Sequence, residues 1–580
     1  MLEITLQSSQ ANTSAQPRFL YKVSKRNEKR LFSAIKSTLR KNAQGYFSSP
    51  PDPTLIRKCI QEFGEENVTF GDNLMIYLGV MVEQQTQVLN SIYNKTPVHP
   101  DLLPFQNSTV HFMDAVGKGI IAHETGAGKT PPACVALDHC GCRKVLIICL
   151  NTLKWNWYEE LTIWSTMRNT YIIDGKATKR DQFLYPMIGG KTEEQLEKIR
   201  QIALSKDNFV FIMNYTNFRL MGEDLIKLGF DAVIADESHR LINRKAQQTQ
   251  LFHKLAKGPA KVWMLTGTPI RNNYDDVFSL LKACDAHRFS SYWSFAYLYF
   301  NVNQTPFGTQ EIVGIQDKEL FNSMLSTYMY REMKKDVRPE LPDKLYQVIK
   351  IPLFGDQRRA YDKLEEELIL TIERATKEGT TFEKVLEIDN ALSLQLRLRQ
   401  MALSPELIGG GTKSAKMDAL LEMVPNFTEQ GKKVLVFSMF REFINLLSKR
   451  MKNLNINHGM LVGGMNIKAI KEVERQLNEG EIDVIIGTTQ AMGEGKNLQK
   501  ANVVIFTDRS WVPAENLQAE DRVHRGDITE SPEIYSLIHP GSVDEDIIKV
   551  NERKQDIAQG TVGEVEVLRE LLRRKKGEKA

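Results

Sequence analysis

Short apolar runs that alternate with helical patterns constrain the fold of this 580-residue chain more than any other feature. In the first half, each run has the length of a buried strand rather than that of a buried helix. These runs are 119–122, 144–150, 208–213, 231–235 and 261–265. Strands separated by helices form parallel sheets, because each parallel connection must cross a face of the sheet. The pattern therefore predicts a parallel α/β domain.

A second series of strand-like runs occurs in the last third of the chain. Helical patterns at 441–451 and 467–477 separate its members. The runs are 433–438, 483–487 and 502–507. This series predicts a second parallel α/β lobe, which we place at 412–545.

The part of the chain between the two series has a different pattern. Strand-like runs stop there and helical patterns take their place, so we expect a helical insertion at 286–411 after a first lobe at 96–285. The helical patterns are 357–377 and 382–401. We expect a helical, basic tail at 546–580.

The N-terminal part, 1–95, is expected to form a small accessory domain. Residues 1–17 are polar and show no periodicity, which predicts a frayed terminus. Between residues 27 and 41 apolar residues recur at every fourth position, which predicts an amphipathic helix. The stretch from Arg18 to Lys41 holds nine lysines or arginines and one acidic residue. Such a run is either a solvated face or a contact for a polyanion.

Composition favours a globular, intracellular protein. Hydrophobic residues make up 42% of the chain and charged residues 26%, which are ordinary globular values. The longest apolar run, 74–82, is far shorter than the ~20 residues of a membrane helix. We expect neither secretion nor membrane insertion. The location would be cytoplasmic and nucleoid-associated in a prokaryotic or viral setting, and nuclear in a eukaryotic one.

The six cysteines are too sparse to indicate a disulfide framework. The tetrapeptide His-Cys-Gly-Cys at 139–142 has the residue types of half a metal site. No second ligand pair follows at the spacing of a zinc finger. A turn between a helix and a strand is therefore the favoured interpretation, and a metal site is the alternative.

The segment His-Glu-Thr-Gly-Ala-Gly-Lys-Thr at 123–130 follows the first strand-like run and precedes a helical pattern. A phosphate-binding loop occupies this position in nucleotide-binding proteins. His123 replaces the first glycine of the strict pattern, so a chance glycine-rich turn is the alternative. In a phosphate loop, backbone amides around Gly126 and Gly128 would bind phosphate oxygens. Lys129 would neutralise the β and γ phosphates, and the Thr130 hydroxyl would ligate Mg²⁺.

A strand-like run that ends in two adjacent carboxylates follows about 105 residues later, at 231–239. After a phosphate loop, this pattern indicates the second half of an ATP site. Asp236 would hold the Mg²⁺ ion, and Glu237 would polarise the attacking water as a general base. A solvated acidic pair at the end of a strand is the alternative interpretation.

Several segments of the first lobe together resemble the Swi/Snf-type family of superfamily-two helicase-like ATPases. Asp-Glu-Ser-His at 236–239 and Leu-Thr-Gly-Thr-Pro-Ile-Arg-Asn-Asn at 265–273 resemble its motifs II and III. Further segments resemble the adenine-reading glutamine motif and motifs Ia and Ib. They are 103–106 (Leu-Pro-Phe-Gln), Thr152 and Leu153 with Trp157 and Glu160, and Asn214 with Tyr215.

The second lobe carries the matching later motifs of the same family. Asp-Arg-Ser-Trp-Val-Pro at 508–513 and Gln-Ala-Glu-Asp-Arg-Val-His-Arg at 518–525 resemble motifs Va and VI, which are its most specific signatures. Residues 434–438 resemble motif IV, and residues 488–498 resemble motif V. Lys496 and Asp527 depart from the family pattern, and Leu150 stands where motif Ia has proline. None of these departures removes a catalytic group.

The resemblance implies two tandem RecA-like lobes that close on one ATP, with Mg²⁺ as the accompanying ion. It implies catalytic roles for Lys129 and Glu237 and for two arginines, Arg522 and Arg525, that reach the phosphates as arginine fingers. The residues expected to bind the nucleotide are Gln106, Glu124, Thr125, Gly126, Ala127, Gly128, Lys129, Thr130, Asp236, Gly495, Arg522 and Arg525.

The same resemblance implies an ATP-dependent translocase on double-stranded or branched DNA, closest to the annealing-helicase and fork-remodelling branch. The candidates for nucleic-acid contact are Thr152, Tyr215, Thr489, Asn497 and Trp511. The basic N-terminal helix is either a DNA-targeting element or a solvated face. A strand-separating DNA or RNA helicase is the alternative function, and a non-catalytic scaffold is a third hypothesis. We expect a monomer; the sequence names no protein partner.

Overall fold

A computed structural model provides the structure of the chain. It describes residues 2–7, 18–35, 39–41, 46–167, 169–175, 177, 186–270, 273–304, 310–353, 355–377, 389–465, 467–492, 498–524, 528 and 530–556. The chain divides into two compact units. The first comprises Met1–Glu124 and Gly128–Met333, and the second comprises Thr125–Ala127 and Lys334–Ala580. Within the described ranges no helix is both long and apolar enough to cross a membrane.

The first unit begins with a five-stranded sheet in the order β3-β4-β2-β1-β5. Its strands are β1 (Leu2–Gln7), β2 (Arg18–Val23), β3 (Arg40–Lys41), β4 (Phe47–Ser49) and β5 (Val68–Phe70), and its helices are α1 (Glu28–Ile35), α2 (Pro53–Phe63) and α3 (Asp72–Tyr93). The prediction of a frayed terminus over 1–17 is wrong for Leu2–Gln7. Leu2 and Ile4 are fully buried, because they alternate on the face of β1 that joins the core.

The predicted amphipathic helix at 27–41 is shorter in the structure. Helix α1 ends at Ile35, and Arg40–Lys41 pair with β4 as an edge strand instead. The acidic tip of α1 contacts this strand, since Lys41 forms an ion pair with Glu28 at 3.3 Å. Residues 36–38 lie outside the described part of the chain.

The main sheet of the first unit has eight strands in the order β15-β6-β12-β11-β7-β10-β8-β9, and all its pairings are parallel. The strands are β6 (Lys118–Ile121), β7 (Lys144–Cys149), β8 (Thr170–Ile173), β9 (Met187–Ile188), β10 (Phe209–Asn214), β11 (Ala232–Asp236), β12 (Lys261–Leu265) and β15 (Met329–Tyr330). All five predicted strands of the first lobe are confirmed. Buried strands of a parallel sheet are covered on both faces, so their sequences are continuously apolar.

Helices cover both faces of this sheet. They are α4 (Pro104–Val116), α5 (Thr130–His139), α6 (Lys154–Trp164), α7 (Thr192–Ser205), α8 (Tyr215–Leu225), α9 (Gln247–Leu255), α10 (Val277–Cys284), α11 (Tyr292–Tyr299) and α12 (Lys318–Tyr328). One of the two resulting apolar cores continues into the N-terminal sheet. A buried ion pair joins the same two parts, since Arg288 Nη2 lies 3.0 Å from Asp52 Oδ1. The N-terminal part therefore shares its core with the first lobe.

The second unit is built on a six-stranded parallel sheet in the order β16-β21-β20-β17-β19-β18. Its strands are β16 (Leu345–Lys350), β17 (Val434–Ser438), β18 (Gly459–Leu461), β19 (Val484–Thr488), β20 (Val503–Phe506) and β21 (Glu533–Ile538). Its helices are α13 (Lys334–Val337), α14 (Gly355–Lys377), α15 (Asp389–Leu403), α16 (Ala415–Glu429), α17 (Arg441–Asn453), α18 (Ile467–Glu479), α19 (Thr489–Met492), α20 (Pro513–Glu520) and α21 (Val543–Asp556). The three predicted strands of the second lobe are confirmed, as are the helices at α17 and α18.

The insertion is helical at α14 and α15, as predicted, but it also contains strands that the sequence pattern did not indicate. A hairpin forms from β13 (Phe300–Gln304) and β14 (Gln310–Ile315). Strand β15 extends the sheet of the first unit, and β16 forms an edge of the sheet in the second. The prediction that strands stop between 285 and 411 is therefore wrong. These strands are short or largely exposed, so they lack a continuous apolar run.

Candidate functional site

The register of the first sheet places the predicted phosphate loop and the acidic pair at one edge. Strand β12 lies between β6 and β11, and its last residue, Leu265, stands opposite both Ile121 and Asp236. The ends of β6 and β11 are therefore level and two strand spacings apart, roughly 10 Å. The loop follows the end of β6, and Glu237 follows β11 directly. This edge is where parallel α/β sheets bind ligands.

The loop 123–130 turns through two glycines and ends where α5 begins, at Thr130. Gly126 and Gly128 have φ values of 78° and 85°, which favour glycine strongly over other residues. A Cβ on Gly128 would also lie 2.8 Å from Gln106 Nε2. The loop thus has the backbone form that brings N–H groups toward a phosphate at a helix N-terminus.

His123, which departs from the strict loop pattern, is completely buried and hydrogen-bonded on both ring nitrogens. Its Nδ1 accepts from the Glu332 backbone N–H at 3.1 Å. The proton is then on Nε2, which donates to Thr109 Oγ1 at 2.8 Å. Burial, and next the charge of Lys129, lower the pKa of His123 to about 3. A neutral histidine therefore takes the place of the glycine and ties the start of the loop to its surroundings.

Gln106 and Lys129 both bond to the loop backbone. The Gln106 amide donates to the Gly128 carbonyl at 2.9 Å, while its oxygen accepts from the Leu103 N–H at 2.9 Å and caps α4. Lys129 Nζ donates to the carbonyl of His123 at 2.9 Å and to that of Glu124 at 3.3 Å. The loop, Gln106 and Lys129 therefore form one connected group, and the adenine-reading role of Gln106 stays a prediction.

Asp236 ends β11 with its carboxylate buried. Oδ2 accepts from the Trp157 indole N–H at 2.9 Å, and Oδ1 accepts from the Glu237 backbone N–H at 2.9 Å. Burial, and next the charge of Glu237, raise the pKa of Asp236 to about 6, although Trp157 and Lys129 act in the opposite direction. None of the ion pairs among the described residues includes Asp236. A buried carboxylate in this state has the donor chemistry that Mg²⁺ prefers.

Glu237 has a left-handed backbone, with φ 50° and ψ 47°. This conformation costs a non-glycine residue of the order of 1 kcal/mol, and such strain is concentrated at functional sites. Its Oε2 lies 3.1 Å from His239 Nδ1. This conformation ends the extended strand directly after Asp236.

Of the first-lobe candidates for nucleic-acid contact, Tyr215 is buried and its hydroxyl donates to the Asp236 backbone carbonyl at 2.7 Å. Its place in the structure is a support for the acidic strand end. The backbone of Thr152 lies in a 3₁₀ turn, Asn151–Leu153, and its side chain lies outside the described part of the structure.

The second unit holds the remaining predicted site residues. Thr489 begins α19 and is buried. Trp511 is partly buried and packs under the Arg399 guanidinium, whose carbon is 4.6 Å from the ring centre. Arg522 follows α20 and is also buried. Gly495, Asn497 and Arg525 lie outside the described residues.

Sequence reasoning did not assign the residues that hold these groups in place. His123 was noted only as a departure, Lys334 only as part of the segment Arg-Glu-Met-Lys at 331–334 that resembles the family's linker, and Lys344 was not singled out. In the structure, the two lysines bind the acidic end of α20. Lys334 lies 187 positions from its partner Asp521, so no local pattern marks the pair. The Cys140–Cys142 region forms the predicted turn, and the described residues include no group of three or more His, Cys, Asp or Glu side chains that could hold a metal ion.

Comparison with protein families decides the classification. The SNF2-related domain matches residues 36–407, and the helicase conserved C-terminal domain matches residues 415–527. The first match alone covers more than half of the 580 residues. The chain belongs to the SNF2-related family. Its two parallel sheets are therefore the RecA-like lobes of a SNF2-related protein.

Curated SNF2 relatives are similar along most of this chain. The SWI/SNF chromatin-remodeling complex subunit snf22 of Schizosaccharomyces pombe is 27% identical over 469 residues, which is 76% of this chain and 26% of the relative. The ISWI chromatin-remodeling complex ATPase ISW1 of Saccharomyces cerevisiae is 25% identical over 480 residues, which is 78% of this chain and 40% of the relative. The chain thus spans about a quarter to two fifths of the length of these relatives.

One solved structure, the Sulfolobus solfataricus SWI2/SNF2 ATPase core in complex with dsDNA, is 22% identical and matches with a TM-score of 0.36. The match covers 83% of this chain and 98% of that chain.

Proposed function

We propose that this SNF2-related chain is a DNA-dependent ATPase that uses ATP hydrolysis to move along double-stranded or branched DNA. The observation that carries the proposal is the sheet edge where β6, which leads into the phosphate loop, and β11, which ends in Asp236, stop at the same level. Asp236 is buried there with a pKa raised to about 6, and no described ion pair neutralises it. Such a carboxylate is suited to a bound divalent cation.

The residues of this edge divide the nucleotide work among them. The amides around Gly126 and Gly128 bind phosphate oxygens, and Lys129 exchanges its bonds to two loop carbonyls for bonds to the phosphates. Thr130 and Asp236 hold Mg²⁺, which supplies charge neutralisation at the phosphates. Glu237 accepts a proton from the attacking water. Glu124, Thr125, Ala127 and Gly495 complete the nucleotide-binding set.

Arg522 and Arg525 of the second lobe are proposed to stabilise the charge that develops on the γ phosphate. An arginine in this role is worth about 10³ to 10⁵ in rate. Support comes from the match of the helicase C-terminal domain to residues 415–527, which includes both arginines. Arg522 lies in a turn that is anchored at both sides, which suits a residue that must be held in one orientation.

Double-stranded DNA is proposed as the track. Several relatives belong to chromatin-remodeling complexes, and chromatin contains double-stranded DNA. Thr152, Thr489, Asn497 and Trp511 are the proposed contacts, mainly to the phosphate backbone, so little base specificity is expected, whereas the buried Tyr215 supports the acidic strand end. The exposed lysines and arginines at Lys22, Lys25, Arg26 and Lys29 are proposed to recognise branched DNA by charge.

The test is the ATPase rate of the purified chain alone and with duplex DNA, forked DNA, single-stranded DNA or RNA, at one salt concentration. We expect duplex DNA to stimulate the rate at least tenfold, and forked DNA to do so at a lower concentration. Stimulation by RNA or by single strands alone would support a strand-separating helicase. An absence of turnover with every nucleic acid would contradict the proposal.

A further inference from the structure

The segment that leads from the first unit into the second, residues 329–346, has specific contacts on each side of the boundary at Met333. We call it the connecting segment. It begins with β15 and continues through α13 to the start of β16. Among its contacts before Met333 are bonds to the phosphate loop, and among those after Met333 are bonds to the turn that carries Arg522.

Before the boundary, the connecting segment pairs with the start of the loop. The Ala122 N–H donates to the Tyr330 carbonyl at 2.8 Å, and the Glu124 N–H donates to the Glu332 carbonyl at 3.0 Å. Between these two bonds, the Glu332 N–H donates to His123 Nδ1 at 3.1 Å. Hydrogen bonds therefore continue from the pairing of β15 with β6 into the loop that is proposed to hold the phosphates.

After the boundary, Lys334 binds the turn 521–524, which contains Arg522. Lys334 Nζ donates to Asp521 Oδ1 at 2.8 Å and to the His524 carbonyl at 3.0 Å. Lys334 is only 4% exposed and Asp521 only 2%. One ammonium group thus holds the first and last residues of the turn, with Arg522 between them.

Other residues of the connecting segment secure the same turn. Lys344 Nζ lies 3.0 Å from Asp521 Oδ1 and 3.2 Å from Glu520 Oε2. His524 Nε2 donates to the Pro342 carbonyl at 2.7 Å. Burial alone would raise the pKa of Asp521, but Lys344 and Lys334 outweigh that effect and lower it. The carboxylate is therefore ionised at neutral pH and able to hold both lysines.

These contacts cost free energy of folding, so their presence calls for an explanation. Glu520 and Asp521 place two negative charges at the C-terminal end of α20, where the helix dipole disfavours them. Buried ion pairs are also weak sources of stability, since desolvation offsets most of the attraction. A purely structural turn could be held by apolar packing. A turn held by directed bonds is held in one orientation.

We propose that Lys334 is a positioning residue for ATP hydrolysis, which orients Arg522 by binding Asp521 and the His524 carbonyl. Lys334 is only two residues after Glu332, which is bonded to the phosphate loop. At most about 7 Å of extended chain separates two such residues. This inference rests on the proposed function of Arg522.

The test compares Lys334→Met with Lys335→Met, which removes the exposed lysine next to it. With duplex DNA present, we expect Lys334→Met to lower kcat at least tenfold and to leave the Kd for Mg·ATP within twofold. Lys335→Met should leave kcat unchanged within twofold. Thermal unfolding of each variant measures the folded fraction, and kcat is expressed per folded molecule.

The decisive step is to repeat the substitution in an Arg522→Ala background. Because Lys334 is proposed to act through Arg522, Lys334→Met should then lower kcat by less than twofold more. A full tenfold further loss would overturn the inference and leave the proposed function standing. If Lys334→Met does not fold, Asp521→Asn and Lys334→Arg are used instead, with losses expected from the first and at most a threefold loss from the second. A normal rate for Arg522→Ala would instead overturn the proposed function of that arginine, and this inference with it.

Discussion

Each lobe buries carboxylates near a residue proposed to act on ATP, but the two lobes treat those carboxylates in opposite ways. Asp236 in the first lobe has neutral hydrogen-bond donors, Trp157 and a backbone N–H, and its pKa is raised to about 6. Asp521 in the second lobe contacts two lysine ammonium groups, and its pKa is lowered. The residue type is the same and the burial is similar.

The difference separates a binding group from a positioning group. A buried carboxylate without a protein cation attracts one from solution, which is useful where Mg²⁺ must bind with ATP and leave with ADP. A buried carboxylate saturated by lysines attracts nothing more, but it fixes the backbone around it. Burial alone therefore does not identify a functional carboxylate; its partners do.

The largest expected effect concerns the carboxylate next to Asp236. Glu237→Gln should lower kcat about 10² to 10⁴-fold, because general-base catalysis contributes that much. The Kd for Mg·ATP should stay within threefold, since the phosphate loop is unchanged. Steady-state ATPase rates and equilibrium nucleotide binding check this, with the exposed Glu193→Gln as control. An unchanged rate would show that Glu237 is not the general base. The first-lobe carboxylates would then lose their proposed part in the chemistry, and the comparison of the two lobes would fail on that side.

The next effect concerns stability in the second lobe. Lys344→Met should lower the free energy of unfolding by about 3 kcal/mol at pH 7, since it leaves buried negative charge less compensated. Asp521 has a lowered folded-state pKa, so the stability that it contributes is complete above its unfolded pKa of about 4 and is lost as pH falls through the folded value. The difference between wild type and Lys344→Met should shrink accordingly in acid.

Urea unfolding at pH 7 and at pH 3 measures that difference. The exposed Lys335→Met serves as the control and should unfold like the wild type. A Lys344→Met variant as stable as the wild type at pH 7 would mean that the buried second-lobe carboxylates do not need the charge of Lys344. The contrast between Asp521 and Asp236 would then fail for the second lobe.

The smallest expected effect is on the stability of the first lobe, where the contribution of Asp236 depends on pH with the opposite sign to that of Asp521. A folded-state pKa of about 6 for Asp236 means that the native state loses stability as pH rises from about 4 to about 6 or 7. Asp236→Asn removes this loss, worth roughly 2 to 3 kcal/mol, and gives up about 1 kcal/mol of hydrogen bonding to Trp157. Without Mg²⁺, the variant should therefore gain stability relative to wild type between pH 4 and pH 7.5.

Urea unfolding of both proteins in EDTA, at several pH values across that window, measures whether Asp236→Asn gains or loses stability relative to the wild type as pH rises. Asp101→Asn, whose side chain is 76% exposed, is the matched control and should follow the wild type at each pH. A variant that loses stability relative to wild type as pH rises would show that Asp236 is already neutralised inside the protein.

Much of the fold could be predicted because buried parallel strands are continuously apolar. All eight strand-like runs became strands, and both acidic and glycine-rich motifs follow strands as expected. Among the strands that were missed, β1 and β16 have other patterns. Residues of β1 alternate within a polar terminus, and most side chains of β16 are exposed. Neither sequence resembles a buried strand, and only tertiary pairing selects that conformation.

The candidate site divides in the same way. Loop glycines, Lys129 and the acidic pair lie in short contiguous motifs, so the sequence alone could indicate them. The residues that hold these groups in place do not lie in such motifs. His123 bonds to Glu332, which is 209 positions away, and Lys334 bonds to Asp521, which is 187 positions away. Such partners become neighbours only when the chain has folded, and no local pattern marks them in advance.

The most direct test of the comparison is the Kd for ATP measured by calorimetry with Mg²⁺ and with EDTA, for the wild type and for Asp236→Asn. If Asp236 is the group left free for a cation, the wild type should bind ATP at least tenfold more tightly with Mg²⁺. In Asp236→Asn that ratio should fall below threefold. An equal ratio in the two proteins would show that Asp236 does not hold the ion and would contradict the assignment of the first-lobe site.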